Sequence, residues 1–403
     1  MRRSMRVGLV LLAGLVVVGL ALAVFITARF DSASVRHRIE ESLTSALDSP
    51  VSVGDVKISL CPPGFQAKSV EVGSPGGSGL KDPFLTLKSL RFGVHLLPLL
   101  RGEVRVGRVV LEDPRVLLAP TRRGGWNLPS GAPSGETQAK GGAGVFLVGA
   151  LLVERVDIDG GIVESQGVAA LRDIHAAIKD VSAVSVVRLS ASARSGKKGD
   201  VSLDGRFGPL VREARTVPVP LEAEIRVKDA DALPLFRAFS SGGFGIDAPV
   251  SLESKWRADE KHTGSFSERI EGEGKIRVGS GRLVGAEKWE TIVQAVKMSV
   301  RAADAARPVG AVDEIAADFK MGGGVLSVSS LRYQGAGLIV TGAGTYDLRR
   351  ERLDFRLKGE SGGRSVRFAV TGPANNPSYK IEGADAAIVI TDEIAKFLSK
   401  KKR

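Results

Sequence analysis

Strict alternation of apolar and polar residues, recurring along most of the chain, constrains this sequence more than any other feature. Val56, Ile58 and Leu60 alternate with polar neighbours, as do Ala223, Ile225 and Val227 against Glu222, Glu224, Arg226 and Lys228. Leu353, Phe355 and Leu357 alternate with Arg352, Asp354, Arg356 and Lys358, and Val366, Phe368 and Val370 follow the same period. A strand turns successive side chains to opposite faces, so these runs predict strands with one apolar and one wet face. Glycine clusters at 73–79, 160–161, 322–324, 335–337, 342–344 and 362–363 separate them as turns. Clean alternation predicts antiparallel hairpins and argues against a parallel sheet buried on both faces.

A second pattern supplies a few amphipathic helices. Val35, Ile39, Leu43 and Leu47 share one face of a helix over 31–49, which Pro50 ends. Short helices are expected at 230–239, between 285 and 304, and at 385–400, the last ending in a basic cluster. Residues 7–28 carry no charge, and these 22 positions suffice to span a bilayer core of roughly 30 Å. Arg2, Arg3 and Arg6 precede them and favour a cytoplasmic N-terminus. The run predicts a transmembrane anchor. Ala21-Leu22-Ala23 also fits a signal-peptidase site. Either reading exports the remainder. The predicted order is 1–6 cytoplasmic, 7–28 anchor, 29–128 an N-terminal β unit with its leading helix, 129–144 a Pro/Gly/Ser-rich linker, 145–383 a β-rich groove, and 384–403 an amphipathic basic helix.

Composition removes several function classes. The formal net charge is +12, from 57 Lys and Arg against 45 Asp and Glu, and much of it sits at the two ends. Aromatic residues make up 5% of the chain, too few for the stacking platforms of nucleic-acid binders, so no nucleic-acid partner is expected. One cysteine, Cys61, permits no internal disulfide, and the four histidines (His37, His95, His175, His262) lie far apart. No metal site, cofactor or enzymatic activity is expected. The string Gly359-Glu360-Ser361-Gly362-Gly363 fits G-x-S-x-G, yet it lies between two alternating runs with no histidine after it, which reads as a hairpin turn. Asp347, Glu351 and Asp354 sit among arginines and read as a charged hairpin tip. A closed outer-membrane barrel expects aromatic girdles, for which 3 Trp and 3 Tyr are too few.

Several strings resemble the AsmA family of inner-membrane-anchored bacterial envelope proteins. They are SPVSVGDV at 49–56, LPLLRGEV at 97–104, VVLEDPRV at 109–116 and GGWN at 124–127. Towards the C-terminus, GEGKI at 272–276, GRL at 281–283, GAGTYDL at 342–348 and TGPANNP at 371–377 look like the family's closing segment. The resemblance implies a β-groove protein related to bridge-like lipid-transfer proteins: a single-pass inner-membrane protein with its bulk in the periplasm. Its implied role is phospholipid transfer between the inner and outer membranes during outer-membrane biogenesis, with outer-membrane or periplasmic proteins as partners.

The combined expectation is a mainly β chain: one N-terminal transmembrane helix, then an elongated, curled antiparallel sheet forming an open groove, with a few short amphipathic helices. Groove-lining candidates are Ile225, Val227, Leu353, Phe355, Leu357, Val366, Phe368 and Val370. Lys396, Lys400, Lys401, Lys402 and Arg403 are candidates for a membrane surface, against the plainer reading of a solvated charge run. Alternation alone does not separate an open groove from a closed sandwich, because both require one apolar face. A closed sandwich suits a non-catalytic, membrane-tethered scaffold for outer-membrane protein assembly or targeting.

Overall fold

The computed structural model describes residues 49–60, 63–74, 82–95, 105–119, 152–165, 167–182, 185–209, 220–239, 245–258, 266–285, 310–374 and 377–382, with isolated positions elsewhere, among them helical residues between 36 and 47 and at 293, 294 and 296. The proposed anchor 7–28, the linker 129–144, Cys61 and the basic residues Lys396, Lys400, Lys401, Lys402 and Arg403 lie outside the described residues. Among the described residues, no helix is long and apolar enough to cross a membrane. The chain forms two compact units, one of residues 1–117 with 121–158, the other of 118–120 with 159–403.

The first unit holds β1 (Val51–Val53), β2 (Val56–Leu60), β3 (Pro63–Val72), β4 (Leu85–Val94), β5 (Arg105–Glu112), β6 (Arg115–Leu118) and the start of β7 (Leu152–Ser165). Both β1 and β2 pair with β3, which pairs with β4, and β4 pairs with β5 and β6. Every one of these pairings is antiparallel. The alternation of β1 to β4 delivers Val51, Val53, Val56, Ala67, Val70, Val72 and Leu87 to one core, and Leu43 and Leu47 of the leading helix pack on it. The same helix protects the exposed edge of β1. Thr44 Oγ1 accepts the Val51 N–H at 3.0 Å, and Glu40 Oε1 accepts the Val53 N–H at 2.8 Å. Asp157 of β7, buried, accepts from Arg108 Nε of β5 at 2.6 Å and from Arg155 Nε at 2.7 Å. Burial alone would raise its carboxyl, but these two guanidiniums outweigh it and hold it below the ordinary value.

The second unit is a long antiparallel meander. After the end of β7 come β8 (Val168–Val181), β9 (Val187–Ser195), β10 (Gly199–Phe207), the short pair β11 (Val211–Arg212) and β12 (Arg215–Thr216), and β13 (Leu221–Asp231). Helix α1 (Ala232–Phe239) leads to β14 (Gly245–Asp247) and β15 (Pro249–Ala258). Helix α2 (Phe266–Arg269) leads to β16 (Ile270–Val278), β17 (Gly281–Val284) and β18 (Ala311–Val312). The chain closes with β19 (Glu314–Gly322), β20 (Val325–Gly335), β21 (Leu338–Asp347), β22 (Arg352–Ser361), β23 (Arg364–Pro373), β24 (Ser378–Glu382) and β25 (Val389–Ile390). Val389 and Ile390 pair with Lys380 and Tyr379. This corrects, at these two positions, the helix expected over 384–403. Backbone pairing with a neighbouring strand outweighs the helical spacing of the apolar residues there.

The glycine clusters at 322–324, 335–337 and 362–363 are turns between strands, but the expectation fails at 160–161, inside β7, and at 342–344, inside β21, where the missing side chains make room for Leu357 and Phe355 on the next strand. Gly362 and Gly363 both take positive φ (55° and 78°) between the paired residues Ser361 and Arg364, the geometry of a two-residue hairpin. The G-x-S-x-G string is therefore a β-turn, and Ser361 Oγ donates to the Gly337 carbonyl at 2.8 Å. Asp347 Oδ1 likewise accepts the Arg349 and Arg350 N–H groups, building the charged hairpin tip.

Candidate functional site

The register of the second unit converts alternation along each strand into rows that run across the sheet. Eleven strands follow one another by antiparallel pairing: β9, β10, β13, β15, β16, β19, β20, β21, β22, β23 and β24. One row reads Ala191, Leu203, Ile225, Ser254, Gly274, Phe319, then Val328, Gly344, Phe355, Val370, Tyr379. The adjacent row carries Val201, Val227, Leu252, Ile276, Leu331, Leu357 and Phe368. None of these side chains is charged. Bulges between Val227 and Ala230, at Asp318/Phe319, and between Val328 and Leu331 keep the apolar positions on one face. At about 4.8 Å per strand, ten intervals make an apolar strip on the order of 50 Å long.

Glycines and aromatic rings shape its floor. A Cβ on Gly272 would stand 2.3 Å from the Trp256 ring, and one on Gly344 would stand 2.4 Å from Phe355. A Cβ on Gly274 would meet Phe319 at 2.7 Å, and one on Gly342 would meet Leu357 at 2.8 Å. Each large side chain therefore lies across the neighbouring strand instead of standing up from the sheet, and the floor stays low. Trp256 and Phe319 approach with centroids 6.1 Å apart. The indole N–H of Trp256 donates to buried Ser254 Oγ at 2.9 Å, so it leaves no bare donor in the apolar surface. Burial pushes the Tyr379 phenol up to about 12, which keeps it neutral.

One flank of the strip is covered, and among the described residues no second layer is packed on the other. On the covered flank, Ala230, Val250, Val278, Tyr333, Leu338 and Val340 are buried against α1, the small sheet β14–β17–β18, and the helical residues Val293 and Val296. Gly359 is where this cover comes closest, since a Cβ there would stand 2.6 Å from Val296 Cγ1. The eight lining candidates divide between the flanks. Leu357, Phe368 and Val370 are 5%, 2% and 7% exposed and belong to the covered core. Ile225, Val227, Leu353, Phe355 and Val366 are half-buried: Val366, paired with Gly359, and Val227 edge the covered core, Leu353 and Phe355 pack on its margin towards the other flank, and Ile225 lies in the row of Phe355. Trp256 and Phe319, also half-buried, share this open flank but were not singled out by alternation. Their signal was GEGKI: glycines two residues apart in a strand leave room on one face for rings from the strands alongside.

The opposite face is charged. Arg206 and Glu222 form two parallel hydrogen bonds of 2.8 Å across β10 and β13, Arg257 pairs with Glu271, and Lys320 with Glu273. Among the described residues the histidines take no part in the strip. His37, His95 and His175 each lie against one carboxylate, at 3.1, 3.2 and 2.8 Å. Among the described residues no three His, Cys, Asp or Glu side chains are grouped to hold a metal.

The AsmA family model matches residues 1–163. This part of the chain belongs to the AsmA family. The AsmA match covers the first unit and ends within β7, so the eleven-strand strip lies beyond it. It accounts for the N-terminal strings: Asn127 of GGWN is buried and donates from Nδ2 to the Leu117 carbonyl at 2.8 Å, tying that string to the end of β6. No curated protein and no solved structure matches the chain.

Proposed function

We propose that the chain is a single-pass inner-membrane protein, anchored through residues 7–28 with its bulk in the periplasm. The apolar strip of the second unit carries phospholipid acyl chains between the inner and outer membranes. The observation that carries this reading is the register: eleven strands deliver uncharged side chains to one surface whose outer flank is half-buried. The AsmA match supports the envelope setting. Hydrocarbon burial is worth about 0.8 kcal/mol per methylene, so a 16-carbon chain laid along the strip gains on the order of 10 kcal/mol. That driving force is indifferent to headgroup, and a smooth floor of glycines with flat rings suits movement along the strip better than a tight pocket would. No catalytic group is required.

The covered flank favours a second reading, a tethered scaffold for outer-membrane protein assembly in which the apolar face serves only as core. Photo-crosslinkers replacing Ile225 and Phe355 in the full chain, followed by mass spectrometry of the adducts, separate the two. Acyl-lipid adducts at both positions, well above those at Arg356 on the opposite face, support lipid carriage. Adducts to protein alone, or lipid adducts equal at all three positions, reject it.

A further inference from the structure

The charged face opposite the strip holds a concavity of about 790 Å³, bounded by Asp200, Arg226, Lys228, Glu253, Lys275 and Arg277. Register and bulge explain its shape. Arg226, Glu253 and Lys275 fall in one row across β13, β15 and β16, and Ser251 pairs with Arg277 in the next. Between Val227 and Ala230 the pairing slips, so Lys228 and Asp229 together oppose Ser251. Asp229 has φ 48°, and its N–H donates to Ser251 Oγ at 3.0 Å. Such a bulge bends its strand and re-aims the adjacent side chain, here Lys228.

The result is a tetrad of cations. Residues two apart on a strand lie about 7 Å apart, and β13 and β16 are two strand spacings, about 10 Å, apart. Arg226, Lys228, Lys275 and Arg277 thus mark the corners of a rectangle with β15 running through its middle. Arg226 is paired with Glu224 at 2.7 Å. Among the described residues, Lys228, Lys275 and Arg277 have no carboxylate within ion-pair distance. Among the lining residues, four cations stand against Asp200 and Glu253, 4 − 2 or +2, while Glu224, held by Arg226, and Asp229, 3.3 Å from Ser251 Oγ, lie at its rim. Ser192 and Ser202, also on its wall, add hydroxyls. The volume lies within the roughly 300–1,000 Å³ of small-ligand sites.

We propose that this concavity binds an anion carrying two or more negative charges together with hydroxyl groups, a phosphorylated polyol. The tetrad holds the phosphate groups, while Asp200, Glu253 and the serines receive the hydroxyls. This site lies on the opposite face from the acyl-chain strip and does not depend on it. The ligand chemistry has two sources, a free phosphorylated molecule or the headgroup of an anionic lipid.

Calorimetric titration of the full chain in uncharged detergent tests the site with two probes, inorganic pyrophosphate and cardiolipin dispersed in the same detergent, whose headgroup carries two phosphates and a hydroxyl. Lys275→Gln/Arg277→Gln removes half the tetrad. Lys358→Gln/Arg367→Gln removes a cross-strand pair of cations elsewhere on the charged face. We expect saturable binding of at least one probe, a loss of affinity of about tenfold or more in the first variant, and a change within about twofold in the control. Binding of pyrophosphate assigns the free anion, and binding of cardiolipin alone, weakened in the first variant, assigns the headgroup and separates it from acyl-chain binding on the strip. Equal losses in both variants, no loss in the first, or no saturable binding of either probe overturns the proposal.

Discussion

Phe355 and Phe368 are the same residue type on paired strands, one row apart on the apolar face, and they answer differently to truncation if the outer flank is open. Phe368 is 2% exposed, beneath the cover formed with Val296. Its replacement by Ala leaves a sealed cavity and costs about 3–5 kcal/mol. Phe355 is half-buried over Gly344, with part of its ring facing solvent. Removing roughly half of one phenyl burial costs about 1 kcal/mol, and water fills the space. Lipid binding reverses the order. Phe355→Asp sets a charge where two or three methylenes would lie, a loss of about 2 kcal/mol, or about thirtyfold in affinity at 1.4 kcal/mol per decade. Urea unfolding of the full chain in detergent, followed by Trp fluorescence, gives the stabilities, and displacement of a fluorescent fatty acid gives the affinity. If Phe355→Ala destabilises as much as Phe368→Ala, a protein layer covers both, and the reasoning fails.

Asp157 supplies a pH dependence. Its folded carboxyl is held below the ordinary range by Arg155 and Arg108, so its contribution to stability is complete above the unfolded value and disappears as pH falls through the lower folded one. Asp157→Asn costs about 2 kcal/mol at neutral pH, because two charged hydrogen bonds go, and it flattens the acid limb of stability against pH when hydrogen exchange is read at β5 and β7. Gly344→Val drives a side chain into Phe355 and lifts the ring from the floor. Lipid binding weakens severalfold while the circular dichroism of the sheet persists. Deleting residues 396–403 removes Lys396, Lys400, Lys401, Lys402 and Arg403 and lowers binding to anionic vesicles by about 1 kcal/mol for each cation that reached the surface. Unchanged binding would make the tail a solvated charge run.

Much of this architecture was legible in the residues themselves. Alternation located β2, β13, β22 and β23, and glycines located the turns at 322–324, 335–337 and 362–363, because strand period and left-handed turn geometry are local properties. The helix over 230–239 was visible as well, though its first two residues finish β13. Which flank of the apolar face is covered was not visible. Leu357 and Leu353 belong to one alternating run, yet the first is buried in the cluster that holds the distant residues Val293 and Val296, some sixty positions earlier in the sequence, while the second is half-buried at its margin. The aromatic floor was hidden for a related reason. Trp256 and Phe319 act through Gly272 and Gly274 on the strand between them, a relation set by register rather than by sequence spacing. The turn at 359–363 shows the converse: a short catalytic-looking string has no meaning until its flanking elements are known, and here both are strands.

Trp256 offers the most direct measurement. The chain has three tryptophans, and changing Trp126 and Trp289 to Phe leaves Trp256 as the sole reporter, lying within the open flank. Phospholipids brominated midway along the acyl chain quench an indole only on contact. The account predicts saturable quenching of Trp256 by these lipids, reversed by unlabelled phospholipid and lost in Phe355→Asp. Emission that stays unquenched while the lipid binds would mean that hydrocarbon never reaches the strip.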